Sequence, residues 1–251
     1  MSQSASSQRV IESHEIYSSH LCEDRTIKVC LPPGYSREEA YPVLFCHDGN
    51  EFITHGRIAT IACERMTSGE LSPLVIVCMA MNKRLRSADY DISGDRHEAY
   101  SRFVLEECIP YIEEEYAIAP DKGKWFMAGI SLGAAASLSI HLQRPDVFSQ
   151  LLLFSGAFYP PLQAKVAETH DLSKLAGYML VGRQETAVET KEHGTLNFYE
   201  FNRQMHTLLT ERGAVMNYHE ADGTHIWGFW QKHLPEALAW LEQRLHGAAP
   251  V

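Results

Sequence analysis

The chain has 251 residues, with 22 Lys and Arg against 32 Asp and Glu, for a formal net charge of −10. Hydrophobic residues at 45% and charged residues at 22% exclude wholesale disorder, a collagen repeat and a long coiled coil. The acidic balance, with Lys and Arg scattered rather than clustered, argues against nucleic acid or an anionic membrane as partner, and at about 150 residues per domain the length allows one or two domains.

Taken in chain order, the Ser/Gln-rich start MSQSASSQRV has no apolar signal-peptide core, and residues 1–10 are expected to be disordered, as is the GAAPV end. Residues 12–31 read as two antiparallel strands around a turn at 22–25. The loop PPGYSREEAYP leads into PVLFC (42–46), an apolar run of strand length typical of a sheet buried on both faces. A helix is expected over 53–68, a buried strand over 74–81, a polar loop over 83–94, and a helix over 98–116 bent near Pro110. Then follow a strand at 124–128, a helix at 132–143, and strands at 151–154 and 178–181. A helix at 196–212 stops at Gly213, a strand covers 214–219, and a helix covers 229–245. Strands alternating with helices imply a single α/β domain over 11–246, with a mostly parallel central sheet and helices on both faces. Residues 158–176, with Pro160-Pro161, are expected to form a small cap insertion. No apolar run approaches the ~18–20 residues of a membrane span. Cys22, Cys30, Cys46, Cys63, Cys78 and Cys108 form no C-x-x-C pair, and three lie in apolar strands, so reduced thiols and a cytoplasmic location are expected.

The informative stretch is Gly129-Ile130-Ser131-Leu132-Gly133, a G-x-S-x-G between an apolar strand and a helix. That is the context of a nucleophile elbow, where the serine sits on a strained turn and the helix N-terminus offers free N–H groups to a developing oxyanion. The plainer alternative is a Gly-rich turn with Ser131 as an ordinary N-cap. A serine hydroxyl needs a base and an orienting acid. In this chain order the acid precedes the histidine. His225 follows the last expected strand in the loop Asp222-Gly223-Thr224-His225, whereas His141, His206, His233 and His246 fall on helices. Glu185 is the first carboxylate after the 178–181 strand, with Glu189 and Glu192 as competitors. Leu132 offers one oxyanion N–H. The loop after PVLFC offers a second, from Asn50 or from Gly49, whose freedom would supply the backbone twist. His47, Asp48 and Glu51 could instead be metal ligands, but no metal-binding spacing accompanies them.

With these residues in order, the sequence resembles the α/β-hydrolases, and within them the Putative esterase family that includes esterase D-like and enterochelin-esterase-like proteins. The stretches that carry the resemblance are LPPGY (31–35), HDG (47–49), RSADY (86–90), AYSRFVLEECIPYIEEEY (99–116), GISLGA (129–134), VGRQE (181–185), FNRQMHTLLTERG (201–213) and GTHIWGFW (223–230). It implies an α/β-hydrolase fold, a triad of Ser131, His225 and Glu185, an oxyanion loop at HDG, and substrate contacts from Arg86 and Tyr90. Ala134 stands where many members carry a second glycine. The expected activity is a serine carboxylic-ester hydrolase on a small-molecule ester, with no cofactor and no metal. An acyltransferase or a non-catalytic binding protein on the same fold are the alternatives, and a homo-oligomer is left open.

Overall fold

The computed structural model describes residues 9–247. The disorder expected at the two ends falls outside these residues, except that Val10 already begins the first strand and Gly247 is described. An antiparallel pair, β1 (Val10–Ser18) and β2 (Glu23–Leu31), opens the chain. Its turn lies at 19–22, not at 22–25: Ser18 pairs with Glu23, and Cys22 takes φ +54° to close the hairpin. There follow β3 (Val43–Cys46), α1 (Gly49–Thr54), α2 (Ile58–Ser68), β4 (Val75–Met79) and α3 (Arg86–Tyr90). The helix expected over 53–68 is thus two helices. Arg57 at φ +54° breaks it, next to Gly56, where a Cβ would lie 2.7 Å from the Phe52 carbonyl oxygen. The loop expected over 83–94 holds the short α3.

The helix expected over 98–116 forms as α4 (His97–Arg102), a π-helical turn at Phe103–Cys108, and α5 (Ile109–Glu115). Pro110 lacks an amide hydrogen and its ring crowds the preceding turn, in keeping with the widened π-helical turn just before it. The remaining elements are β5 (Trp125–Ile130), α6 (Leu132–Gln143), β6 (Gln150–Phe154), α7 (Pro160–Glu168), β7 (Ala176–Gly182), the hairpin β8 (Val188–Thr190) and β9 (Gly194–Leu196), α8 (Phe198–Glu211), β10 (Val215–Ala221) and α9 (Trp227–Leu245).

Eight strands form one sheet in the order β1-β2-β4-β3-β5-β6-β7-β10. All pairs from β4 to β10 are parallel, and the first two pairings are antiparallel. Every residue of β3 through β7 is buried, the signature of a sheet covered on both faces. Alternate side chains feed two cores. Phe45, Val77 and Met127 meet α4 to α8 on one face, while Leu44, Ile76 and Phe126 meet α1, α2 and α9 on the other. Parallel strands place all their C-terminal ends, and the loops that leave them, along one edge, which is where such sheets carry ligand sites. Among the described residues, no helix is long and apolar enough to cross a membrane.

Candidate active site

Loops from that edge meet around Ser131. It follows β5 directly and adopts φ +58° and ψ −122°, a conformation costly for a residue with a Cβ. The turn is tight because β5 and α6 cross closely: a Cβ on Gly129 would lie 2.1 Å from the Gly133 carbonyl. The Ser131 side chain caps no N–H of α6, so the N-cap alternative does not describe it. Its Oγ lies 3.1 Å from His225 Nε2. His225 Nδ1 lies 2.7 Å from Glu185 Oε2. The tautomer that satisfies both contacts carries its proton on Nδ1, donates to Glu185, and accepts from the serine hydroxyl.

Glu185 is fully buried, and its second oxygen, Oε1, accepts from the Gly182 N–H at 2.8 Å and the Ser155 hydroxyl at 2.7 Å. The Ser155 oxygen in turn accepts from Trp230 Nε1 at 2.8 Å. The loops bearing Glu185 and His225 are joined by main-chain bonds, Arg183 N–H to Ala221 O at 2.8 Å and Gln184 N–H to Gly223 O at 3.1 Å. A Cβ on Gly182 would sit 2.3 Å from the Gly223 oxygen, so glycine is needed where they touch. The His225 ring lies between Phe198 (4.5 Å) and Trp230 (4.9 Å). Ser155, Phe198 and Trp230 are absent from the sequence-derived site. The signals available were the Ser-Gly pair directly after β6 and the aromatic run after His225. Glu189 and Glu192, the competing carboxylates, are on the β8–β9 hairpin, where Glu189 accepts from Thr195.

Leu132 is the first residue of α6, so its N–H has no intrahelical acceptor. On the facing loop the twist belongs to Asp48 (φ +53°), not to Gly49. Gly49 is glycine for another reason: a Cβ there would lie 2.3 Å from the Cys78 carbonyl carbon of β4. Asn50 is also in the unbonded first turn of α1, but its side chain lines a separate recess of about 200 Å³ with Arg25, Ala80 and Met81. Tyr90 does not reach the cleft. It is fully buried and its hydroxyl accepts the Asp48 N–H at 3.1 Å. Arg86 does border the cleft, but its guanidinium is engaged by both Asp48 oxygens at 2.7 Å. Burial opposes that charge, yet the Asp48 carboxylate outweighs it and the Arg86 pKa is raised. The three residues that could be read as metal ligands each have another partner, although His47 Nε2 is buried without one. His47 Nδ1 contacts the Tyr100 hydroxyl at 2.7 Å, Asp48 holds Arg86, and Glu51 meets Lys83 at 3.0 Å. Burial, reinforced by the Arg86 charge, pushes the His47 pKa down to about 3, so His47 is neutral.

Residues 18–241 match the Putative esterase family. The chain belongs to that family. This esterase is 28% identical over 229 residues to the uncharacterized protein YjcH of Bacillus subtilis (strain 168), covering 91% of this chain and 95% of that one. Its fold is that of solved esterases. A ferulic acid esterase superposes with a TM-score of 0.81 at 19% identity, covering 94% of this chain and 99% of that one. The enterobactin esterase FES from Shigella flexneri superposes with a TM-score of 0.80 at 17% identity, covering 94% of this chain and 60% of that one. The esterase is accordingly a hydrolase acting on esters.

Two hollows of the esterase meet at Ser131 and His225. The larger, about 430 Å³, is bounded by Leu132, Tyr159, Phe198 and the hairpin residues Val188 to Glu192. The smaller, about 280 Å³, is bounded by Met81, Ile130, Trp227 and Trp230 on one part of its wall and by the charged pairs Asp48–Arg86 and Glu51–Lys83 on another. The segment expected as a cap, 158–176, contains α7, which sends Leu162 and Val166 into the core, and Tyr159, just before α7, lines the larger hollow. Burial, then the Asp91 and Glu192 carboxylates, raise the Tyr159 pKa to about 12.

Proposed function

We propose that this esterase hydrolyses carboxylic esters of small molecules through an acyl-enzyme on Ser131. His225 Nε2 takes the Ser131 proton as Oγ attacks the ester carbonyl carbon. The carbonyl oxygen becomes an oxyanion facing the Leu132 N–H and the first turn of α1. His225 then gives its proton to the departing alkoxide, and the alcohol leaves. Water enters, loses a proton to His225, and attacks the acyl carbonyl. Collapse of the second tetrahedral species returns the proton to Ser131 Oγ and releases the acid. Glu185 holds the imidazole in the required tautomer and stabilises its charged form.

The observation that carries this reading is the unbroken line from Ser131 Oγ through His225 to Glu185, with contacts of 3.1 and 2.7 Å. The test is reaction with a fluorophosphonate probe followed by mass-spectrometric mapping. Label on Ser131, with loss of ester hydrolysis in proportion, supports the mechanism. An unlabelled Ser131 in an active enzyme, or activity abolished by a chelator, overturns it. Adding alcohol acceptors to the assay separates the two fates of the acyl group: acid as the main product means hydrolysis, and transesterified product means acyl transfer.

A further inference from the structure

We propose that Arg86 and Asp48 form a clamp that aligns the two halves of the oxyanion site, which makes Arg86 a positioning residue and not a substrate contact. The proposal rests on the acyl-enzyme reading of Ser131. An oxyanion site works only if its N–H donors are held in place before charge develops. Here the donors come from segments far apart in sequence, the start of α6 and the first turn of α1. Sheet pairing ties these segments together only as far as His47, whose N–H donates to Ala128 O at 3.0 Å. Beyond that point β3 leaves the sheet, while β5 runs on against β6 to Ile130 and away from the start of α1.

One guanidinium spans the gap. Arg86 Nε and Nη2 donate to Asp48 Oδ1 and Oδ2, both at 2.7 Å, in the two-pronged geometry that fixes orientation as well as distance. Nη2 also donates to Ile130 O at 3.2 Å. Ile130 immediately precedes Ser131, and Asp48 immediately precedes α1, so the same planar group grips both sides. Asp48 is held at its other end as well, through its N–H to the Tyr90 hydroxyl. The Tyr90 ring lies 5.2 Å from the Arg86 guanidinium carbon. The Asp48 carboxylate rests against the elbow: a Cβ on Gly133 would lie 3.1 Å from Oδ2.

The clamp has an electrostatic consequence. The Asp48 side chain is 3% exposed, and Asp48 borders the same hollow as Ser131, where the proposed oxyanion would form. Unneutralised, it would oppose the developing negative charge with little water to screen it. Arg86 therefore both aligns the donors and cancels a charge that would work against them. This predicts an unusual dependence between the two residues: removing Arg86 alone should be worse than removing both charges.

The experiment compares Arg86→Gln, Asp48→Asn and the double variant on a chromogenic acetyl ester, with active sites counted by fluorophosphonate labelling. Arg86→Gln is expected to lower kcat about 100-fold, at the lower end of the cost of deleting an oxyanion donor, with KM changed less than about threefold. Affinity for a boronic acid, whose serine adduct carries the oxyanion charge, should fall by a similar factor. Adding Asp48→Asn should restore at least about tenfold of the loss, because the opposing charge is gone. A raised KM with unchanged kcat, or a double variant no better than Arg86→Gln, overturns the clamp. If Arg86→Gln does not fold, Arg86→Lys serves in its place, since it keeps the charge but loses the two-pronged grip. A kcat reduced about tenfold with KM held supports the clamp, and an unchanged kcat overturns it. Labelling of Ser131 in the parent enzyme is scored first. An unlabelled serine sinks the acyl-enzyme reading, whereas a labelled serine with an indifferent Arg86 sinks the clamp alone.

Discussion

The Ser155 hydroxyl donates to Glu185 Oε1 at 2.7 Å while accepting the Trp230 indole N–H at 2.8 Å, which leaves Glu185 Oε2 aimed at His225. Ser155 holds φ +43° to do so, a conformation that a residue with a Cβ adopts only when its surroundings require it. Ser155→Ala would leave the buried Trp230 donor unpaired and Glu185 Oε1 with the Gly182 N–H as its remaining partner. Stability is expected to fall by about 1–3 kcal/mol, the cost of an unsatisfied buried group. Activity should fall by less than in a variant of Glu185 itself. Urea unfolding and steady-state kinetics on the same preparation check both.

Glu185→Gln keeps the shape of the buried side chain but removes its charge. Its amide can donate to His225 Nδ1, which favours the wrong imidazole tautomer. A loss on the order of 10⁴ in kcat is expected, by analogy with the same change in other triads. Glu189→Gln and Glu192→Gln should retain kcat to within about threefold, since neither side chain meets His225. Equal losses in all three variants would show that Glu185 has no special role.

Much of this site could be read from the chain because its main parts are local. Ser131 is announced by a strand, two glycines and a helix within a dozen residues, and Glu185 and His225 each follow a strand end in the expected order. What could not be read depends on partners distant in sequence. The resemblance implied a substrate contact from Arg86, but Asp48, 38 positions earlier, neutralises it. Tyr90, four residues on, turns inward because α3 forms where a loop was expected. The twist assigned to Gly49 falls on Asp48, since Gly49 is required for a different purpose, close approach to β4. The split between α1 and α2 went unseen because Arg57, which takes the left-handed turn, is not a residue that favours one.

His47 makes the enzyme acid-sensitive independently of catalysis. Its pKa is about 3 when folded, against about 6.5 in the unfolded chain. Above pH 6.5 both states are neutral and the stability is complete. As pH falls from 6.5 toward 3 the unfolded chain binds a proton that the native state refuses, and stability drains away. Between pH 7 and pH 5 this amounts to about 2 kcal/mol. His97 and His141, also pushed down by burial, act in the same direction. The difference between wild type and His47→Gln therefore isolates this residue. Urea midpoints at pH 7 and pH 5 should diverge less in the variant, and identical slopes would contradict the prediction.

Two glycines near the site should respond oppositely to alanine. Gly129→Ala places a methyl 2.1 Å from the Gly133 carbonyl, so β5 and α6 must separate and Ser131 must move. Loss of at least about 1–3 kcal/mol is expected, together with loss of probe labelling. Gly228 lies in the first turn of α9, and a Cβ added there would meet nothing within 4 Å. Gly228→Ala should be neutral or stabilising by up to about 1 kcal/mol, because alanine gives up less backbone freedom on folding. Thermal midpoints of the pair provide the measurement, and a destabilised Gly228→Ala would show that α9 must flex at its start.

The smaller hollow gives a prediction about selectivity. Trp227 stands at its edge, packed edge-on against Trp230 at 5.5 Å and against Phe52 at 5.5 Å. It limits a space of about 280 Å³ bordered by Ser131, in which Met81, Ile130, Trp227 and Trp230 form the apolar part of the wall. Trp227→Ala removes a wall without touching the Ser131–His225–Glu185 line, so chemistry on an acetyl ester should survive. Bulkier esters should gain relative to acetyl, by about 10-fold or more in the ratio of kcat/KM, since one or two added methylenes in a fitted apolar pocket are worth about 1–3 kcal/mol. A series of esters extended first on the acyl side and then on the alcohol side reveals which part of the substrate occupies this hollow. If neither series shifts, the hollow takes no part in binding, and selectivity must come from the larger space under the β8–β9 hairpin.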